Sequence, residues 1–280
     1  MFKITPCINE RHKQCLAYSK KSEKYAKRIE DLMTFFSNET NLVDFKHELL
    51  AMTQLYFDGL LNRASKSNIE NNCAIEWSER LDTLDGLVLA GKKTIRSLYC
   101  GEEISFADVR DSLNYSRILA DSVPGEAAKK RHLVRADEEL YYFGCDLQKR
   151  LYSEIEMPDT LVCISSGALE PTCLLMNLFG LEEGNVVVVR YSGKYRKDSE
   201  VQTLERVSSP ESKILNKKVM IVDDITTSGD SLLKTMESVL KFNPSSVYAV
   251  AVKGEPVHPL KVDTITLNRI NPYICKYVGD

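Results

Sequence analysis

The chain has 280 residues, a formal net charge of −3 and 43% hydrophobic residues. That length sustains one or two domains with buried cores, and the mild acidity argues against a protein that coats nucleic acid broadly. No apolar run approaches the 18 residues of a membrane span, and Met1–Glu10 lacks the apolar stretch of a signal peptide, so the expectation is a cytoplasmic protein without membrane contact.

In chain order, the first 135 residues read as helices. Apolar residues at helical spacing predict helices over about Tyr18–Phe36, Leu42–Leu61, Ile75–Leu98 and Phe106–Ser122. The basic cluster Lys20, Lys21, Lys24, Lys27, Arg28 reads as a solvated helix face, and Lys129–His132 with Arg135 as a linker or helix start. No catalytic motif stands out in this half, whose role stays open. A domain boundary is expected between residues 135 and 136.

From there the pattern alternates. Asp137–Glu154 predicts a helix, and Met157-Pro158-Asp159 breaks it. Strands are predicted at Thr160–Ile164, Val186–Val189, Val219–Val222, Ser246–Val252 and Thr264–Leu267, with a helix through Leu174–Leu178 and another from Asp230. Alternating strands and helices imply an α/β domain with a mostly parallel sheet, over 136–280, preceded by an all-α domain, 1–135. Tyr191–Lys217 reads as a long polar loop, basic at its start. The eight cysteines form no Cys-x-x-Cys pair, and the four histidines lack metal-ligand spacing.

The stretch richest in chemistry is Val219–Ser231, Val-Met-Ile-Val-Asp-Asp-Ile-Thr-Thr-Ser-Gly-Asp-Ser. A buried strand runs into two carboxylates, Asp223 and Asp224, then into hydroxyl residues and one glycine, then into a helix. Unpartnered N–H groups and the positive dipole end make a helix start an anion site. Gly229 permits close backbone approach, and the hydroxyls of Thr227, Ser228 and Ser231 supply donors. Two carboxylates would repel the phosphate itself. They suit vicinal ribose hydroxyls or a hydrated magnesium ion beside it. The turn is therefore read as a sugar-phosphate cradle, an ordinary capped strand–turn–helix being the bland alternative.

Val219–Ser231 resembles the phosphoribosyl-pyrophosphate (PRPP) motif of type I phosphoribosyltransferases: an apolar strand, two acids, two variable residues, then a hydroxyl-rich phosphate loop. Leu161–Gly180 is similar to the strand, pyrophosphate loop and helix of the same family, nearest in pattern to purine enzymes of the xanthine–guanine kind, with Ser165-Ser166-Gly167-Ala168-Leu169-Glu170-Pro171 in place of Ser-Arg-Gly-Gly-Leu-x-Pro. Ser166 thus stands where those enzymes carry a basic residue, and Ala168 where they carry a second glycine.

The resemblance covers about 140 residues, from near 136 to the C-terminus, and implies a pentosyltransferase of nucleotide metabolism, of purine-salvage type. It would use Mg2+ and PRPP and pass the phosphoribosyl group to a nucleobase-like acceptor with release of pyrophosphate. By the same resemblance Asp223, Asp224 and Arg190 are catalytic, the two aspartates reaching the metal through water. Ile225, Thr226, Thr227, Ser228, Gly229, Asp230 and Ser231 bind the 5′-phosphate, and Ser165, Ser166 and Gly167 form the pyrophosphate loop. Lys194, Arg196 and Lys197 lie on a closing loop, Lys253 contacts the base, and the protein is a homo-oligomer. The altered pyrophosphate loop leaves a second reading open: a PRPP- or nucleotide-binding regulatory protein whose residues 1–135 engage a protein or nucleic-acid partner.

Overall fold

The computed structural model describes residues 42–66, 74–114, 117–118, 121, 137–150, 156–165, 167–191, 202–203, 210–226 and 229–254. The chain divides into two compact units, one running to Asp137 and the other from Glu138 onward. The helix expected at Tyr18–Phe36, the strand at Thr264–Leu267 and both basic clusters lie outside the described residues.

In the first unit, α1 (Leu42–Lys66) and α2 (Ala74–Cys100) are close to the helices expected there. Phe45, Leu49, Met52, Tyr56 and Leu60 of α1 are buried, as are Trp77, Leu84, Leu87, Val88 and Ile95 of α2. The Tyr56 hydroxyl donates to the Arg80 carbonyl at 3.1 Å and so ties one helix to the other. Arg80 stacks over the Trp77 ring, 4.9 Å from its centre, and Nε donates to Asp121 Oδ2 at 3.0 Å. Both partners of this ion pair are buried.

The fourth expected helix, Phe106–Ser122, is interrupted where its periodicity runs on. α3 spans only Phe106–Asp111, started by the Ser105 hydroxyl, which accepts the Asp108 N–H at 3.1 Å. Ser112–Asn114 leave the helix, and Asn114 Oδ1 then accepts the Arg117 N–H at 3.2 Å. Serine and asparagine offer the backbone local hydrogen bonds that compete with the helical ladder, and Ser112 and Asn114, two apart, break an otherwise apolar-periodic run.

The second unit takes in α4 (Asp137–Arg150) from Glu138 and continues as β1 (Thr160–Ser165), α5 (Leu169–Phe179), a 3-10 turn (Glu183–Asn185), β2 (Val186–Arg190), β3 (Gln202–Thr203), α6 (Pro210–Ile214), β4 (Lys218–Thr226), α7 (Asp230–Leu240) and β5 (Ser246–Gly254). Strand order is β3-β2-β1-β4-β5. β2, β1, β4 and β5 are mutually parallel, and β3 is an antiparallel edge on β2. All six residues of β1 are buried, as a central strand covered on both faces requires. α5 is buried along its whole length and stops at Gly180, whose left-handed φ of 66° lets its N–H reach the Met176 carbonyl. On α7, Leu232, Thr235, Met236 and Val239 are buried, the i, i+3, i+4, i+7 stripe of an amphipathic helix, and each apolar member contributes about 2 kcal/mol by burial.

Two expectations about loops change. The segment Tyr191–Lys217 is not uniformly structureless, since it holds β3 and α6. β4 also does not end at Val222. It runs through both aspartates to Thr226, with Asp223 registered on Ala251, Ile225 on Lys253 and Thr226 on Gly254 of β5.

Candidate active site

β1 is the pivot of the sheet. The chain leaves it toward β2 on one side and returns to β4 on the other. In open parallel sheets ligands bind beyond the carboxyl ends of the strands at such a reversal. Here the β1–β4 ladder stops at Cys163 opposite Val222. The next residues of β4 are Asp223 and Asp224, so the acidic pair stands where the two strands part.

Successive side chains on a strand leave on opposite faces, and the two carboxylates have different surroundings. Asp223 is 5% exposed. Its Oδ2 accepts the Ser231 hydroxyl of α7 at 2.5 Å, and its Oδ1 accepts the Asp224 N–H at 2.9 Å. Burial, and next the charge of Asp224, push the Asp223 carboxyl up to about 8, although the Ser231 hydrogen bond opposes the rise. Asp224 is half-buried and reaches the turn after β1. A Cβ on Gly167 would lie 2.0 Å from Asp224 Oδ2 and 2.1 Å from its Cγ. Beneath the pair, the fully buried Cys163 thiol is pushed up to about 12, chiefly by burial.

The helix side of the crevice starts at Gly229, the residue capping α7, with φ of 81°. An L side chain rarely adopts that backbone, so glycine suits the position. The first backbone bond of the helix runs from Leu233 N–H to the Gly229 carbonyl, 2.9 Å. The N–H groups of Ser231 and Leu232 precede it and have no acceptor within the helix.

The other expected residues fall into three groups. Arg190 ends β2 beside Ser165 at the same end of the sheet, and Lys253 ends β5 beside Ile225. Ser165 is a strand residue, 2% exposed, and not part of a loop. Ile225 and Thr226 likewise belong to β4 and not to the turn, which is confined to the residues between Thr226 and Asp230. Ser166, Lys194, Arg196, Lys197, Thr227 and Ser228 lie outside the described residues. Sequence reasoning overlooked two features. Ala168 is fully buried at the start of α5, so the methyl group replacing the second glycine packs into the core. The second is the reach of Asp224 to Gly167, which no spacing within either motif could reveal. Among the described residues no group of three or more His, Cys, Asp or Glu side chains is placed to hold a metal ion, and no helix is long and apolar enough to cross a membrane.

Residues 146–274 match the family model of the phosphoribosyl transferase domain. The matched stretch runs from within α4 past the end of β5 and takes in the acidic pair and α7. Solved structures similar to it include a purine phosphoribosyltransferase from Pyrococcus horikoshii, at 17% identity over 50% of this chain and 84% of that one, TM-score 0.36. A hypoxanthine phosphoribosyltransferase from Staphylococcus aureus matches at 21% identity over 54% and 79%, TM-score 0.36. A hypothetical protein from Neisseria gonorrhoeae with bound ppGpp matches at 14% identity over 50% and 84%, TM-score 0.36. No curated protein matches the chain. Within that stretch, Asp223 and Asp224 lie in the last four residues of β4, and Gly229 caps α7.

Proposed function

We propose that this domain binds PRPP with magnesium and transfers its phosphoribosyl group to a nucleobase-like acceptor, releasing pyrophosphate. One observation carries the reading most: Asp224 and Gly167 meet across the gap between β1 and β4, beside the first turn of α7. A half-exposed carboxylate, a bare glycine backbone and a helix N-terminus at one sheet edge match the three parts of a sugar bisphosphate. The carboxylate faces ribose hydroxyls, the helix start takes the 5′-phosphate, and the turn at Gly167 faces pyrophosphate.

The donor set also fits magnesium. This ion keeps several waters and binds through one or two carboxylates plus substrate phosphates, and Asp224 offers such a carboxylate at the crevice. When bound, the ion would offset the charge on the departing pyrophosphate. In the transfer, the bond from ribose C1 to the pyrophosphate oxygen breaks, a bond from C1 to an acceptor nitrogen forms, and the proton on that nitrogen passes to water. The protein's part is electrostatic, with a carboxylate near the cationic sugar and backbone donors at both phosphate groups. Arg190, at the end of β2, is the cation assigned to the pyrophosphate side. Lys194, Arg196 and Lys197 are assigned to a loop closing over the sugar, and Lys253 to the base. Purine bases are the acceptors proposed first, because Leu161–Pro171 is nearest in pattern to purine enzymes.

The second reading is a binding or regulatory protein on the same fold, with residues 1–135 engaging a protein or nucleic-acid partner. The uncharged Ser166 favours it. Incubating the full chain with Mg-PRPP and a panel of nucleobases, with Asp224→Asn as control, separates the two. Pyrophosphate release that needs Asp224 supports the transferase. A rise in melting temperature with PRPP, without release for any base, supports the regulatory protein. If PRPP causes neither change, both readings are wrong.

A further inference from the structure

Building on the sugar-phosphate reading above, we infer that Asp223 and Ser231 form a latch that fixes the first turn of α7 against β4. Asp223 then serves the site as a positioning residue, and Asp224 is the carboxylate that meets the ligand.

The two oxygens of Asp223 are each engaged inside the protein, Oδ2 by the Ser231 hydroxyl at 2.5 Å and Oδ1 by the Asp224 N–H at 2.9 Å. With a hydrogen bond already on each oxygen and 5% of its surface exposed, Asp223 offers a sugar far less of its carboxylate than the half-buried Asp224 does. Each bond fixes something the site needs. The bond to Asp224 N–H sets the backbone from which the ligand-facing carboxylate projects. The bond from Ser231 sets the second residue of α7, next to the left-handed Gly229 cap, and so aims the N–H groups of the helix start.

The same bond gives Ser231 a different task from the one its place in the motif suggests. Its hydroxyl proton is committed to Asp223, so a phosphate at this turn would be met here by backbone N–H groups. The two acids thus divide the work. Asp224, half-buried and set against Gly167, reads the sugar, while Asp223 joins the strand to the helix from behind.

The test exploits the difference between a latch and a charge. Asparagine at 223 keeps both bonds, because its carbonyl still accepts the Asp224 N–H and its amide can donate to Ser231 Oγ, and it carries no charge at any pH, so the titrations are run at pH 8.5 as well as at pH 7. Affinities of the full chain for ribose 5-phosphate and for Mg-PRPP would be measured by titration calorimetry for Asp223→Asn, Asp223→Ala, Ser231→Ala, the double Asp223→Ala/Ser231→Ala and Asp224→Asn. A latch predicts losses of about tenfold for Asp223→Ala and for Ser231→Ala, with the double variant no worse than the poorer single, since both remove one interaction. Asp223→Asn should recover most of the affinity, whereas Asp224→Asn should not.

Two results overturn the latch while leaving the sugar-phosphate site standing: an Asp223→Asn loss as deep as that of Asp224→Asn, or losses at 223 and 231 that add. A wild-type chain that binds neither probe overturns the functional reading, and the latch with it. Asp223→Asn and Ser231→Ala decide the question by themselves if Asp223→Ala does not fold.

Discussion

Gly167 and Asp224 sit so close that any side chain at 167 would collide with the aspartate, at 2.0 Å from Oδ2 and 2.6 Å from Oδ1. Atoms do not approach that closely, so one of the two groups must move. Asp224 has a short side chain on a paired strand, and moving its carboxylate means turning it out of the crevice.

Gly167→Ala should therefore leave the fold intact and damage binding. We expect a loss of about tenfold or more in affinity for ribose 5-phosphate, equivalent to about 1.4 kcal/mol, with the melting temperature nearly unchanged. Titration calorimetry with a parallel thermal melt checks both halves. A large drop in melting temperature would mean that the glycine serves packing instead.

Gly229→Ala acts by another route. With φ of 81° at the α7 cap, a Cβ costs about 1–2 kcal/mol of backbone strain. Urea unfolding should show that loss, and phosphate affinity should fall as the helix start relaxes. Gly229→Asn should recover part of the stability, because asparagine tolerates this conformation best among the other residues.

Asp223 makes stability pH-dependent in a defined direction. Its carboxyl is raised from 3.8 to about 8, by burial and then by Asp224. Below about pH 4 it is protonated in both folded and unfolded chains. Between about 4 and 8 the unfolded chain releases the proton and the folded chain keeps it, so stability falls as pH rises, by up to about 1.4 kcal/mol per unit. Above 8 the loss is complete. Melting curves from pH 5 to 8.5 should show this decline in the wild type and a flatter profile in Asp223→Asn, the gap widening with pH. Parallel profiles would show that Asp223 does not hold its proton in the folded chain.

In the helical unit, Asp121→Ala should be costly. It removes the buried partner of the Arg80 guanidinium, only 2% of the Asp121 side chain being exposed, and leaves it the more exposed Glu76 carboxylate. Removing one side of such a pair costs about 3 kcal/mol, whereas replacing both by apolar residues of similar volume is often tolerated. Urea titrations of Asp121→Ala and of Arg80→Met/Asp121→Leu should show a large loss for the first and a smaller one for the second.

Much of this organisation was legible in residue order. Four consecutive valines at 186–189 and the apolar run at 219–222 mark strands buried on both faces, and the Leu232, Met236, Val239 stripe marks the helix after the motif. The remainder was hidden for specific reasons. β3 is two residues long and carries no period. Asn114 breaks a helix whose apolar spacing runs on past it, because capping is a choice between two local hydrogen-bond patterns. The different surroundings of Asp223 and Asp224 are set by where β1 stops pairing, a property of another segment altogether. Arg190 and Lys253 were legible as strand-end cations, and the sheet places both at the carboxyl edge.

The stopping point of β1 has a further consequence. Past Cys163 opposite Val222, β4 loses its neighbour on one side, and at that point the Asp224 N–H is bonded to the Asp223 carboxylate. A side chain thus stands in for a strand that is no longer there. The crevice is in effect an unfinished seam in the sheet, stitched at its edge by one aspartate. Its width is governed by how many residues β1 lends to the seam. An insertion or deletion in the turn after Ser165 would widen or close the cleft without touching any residue that faces the ligand, so turn length is a route by which members of this fold can change the size of what they accept.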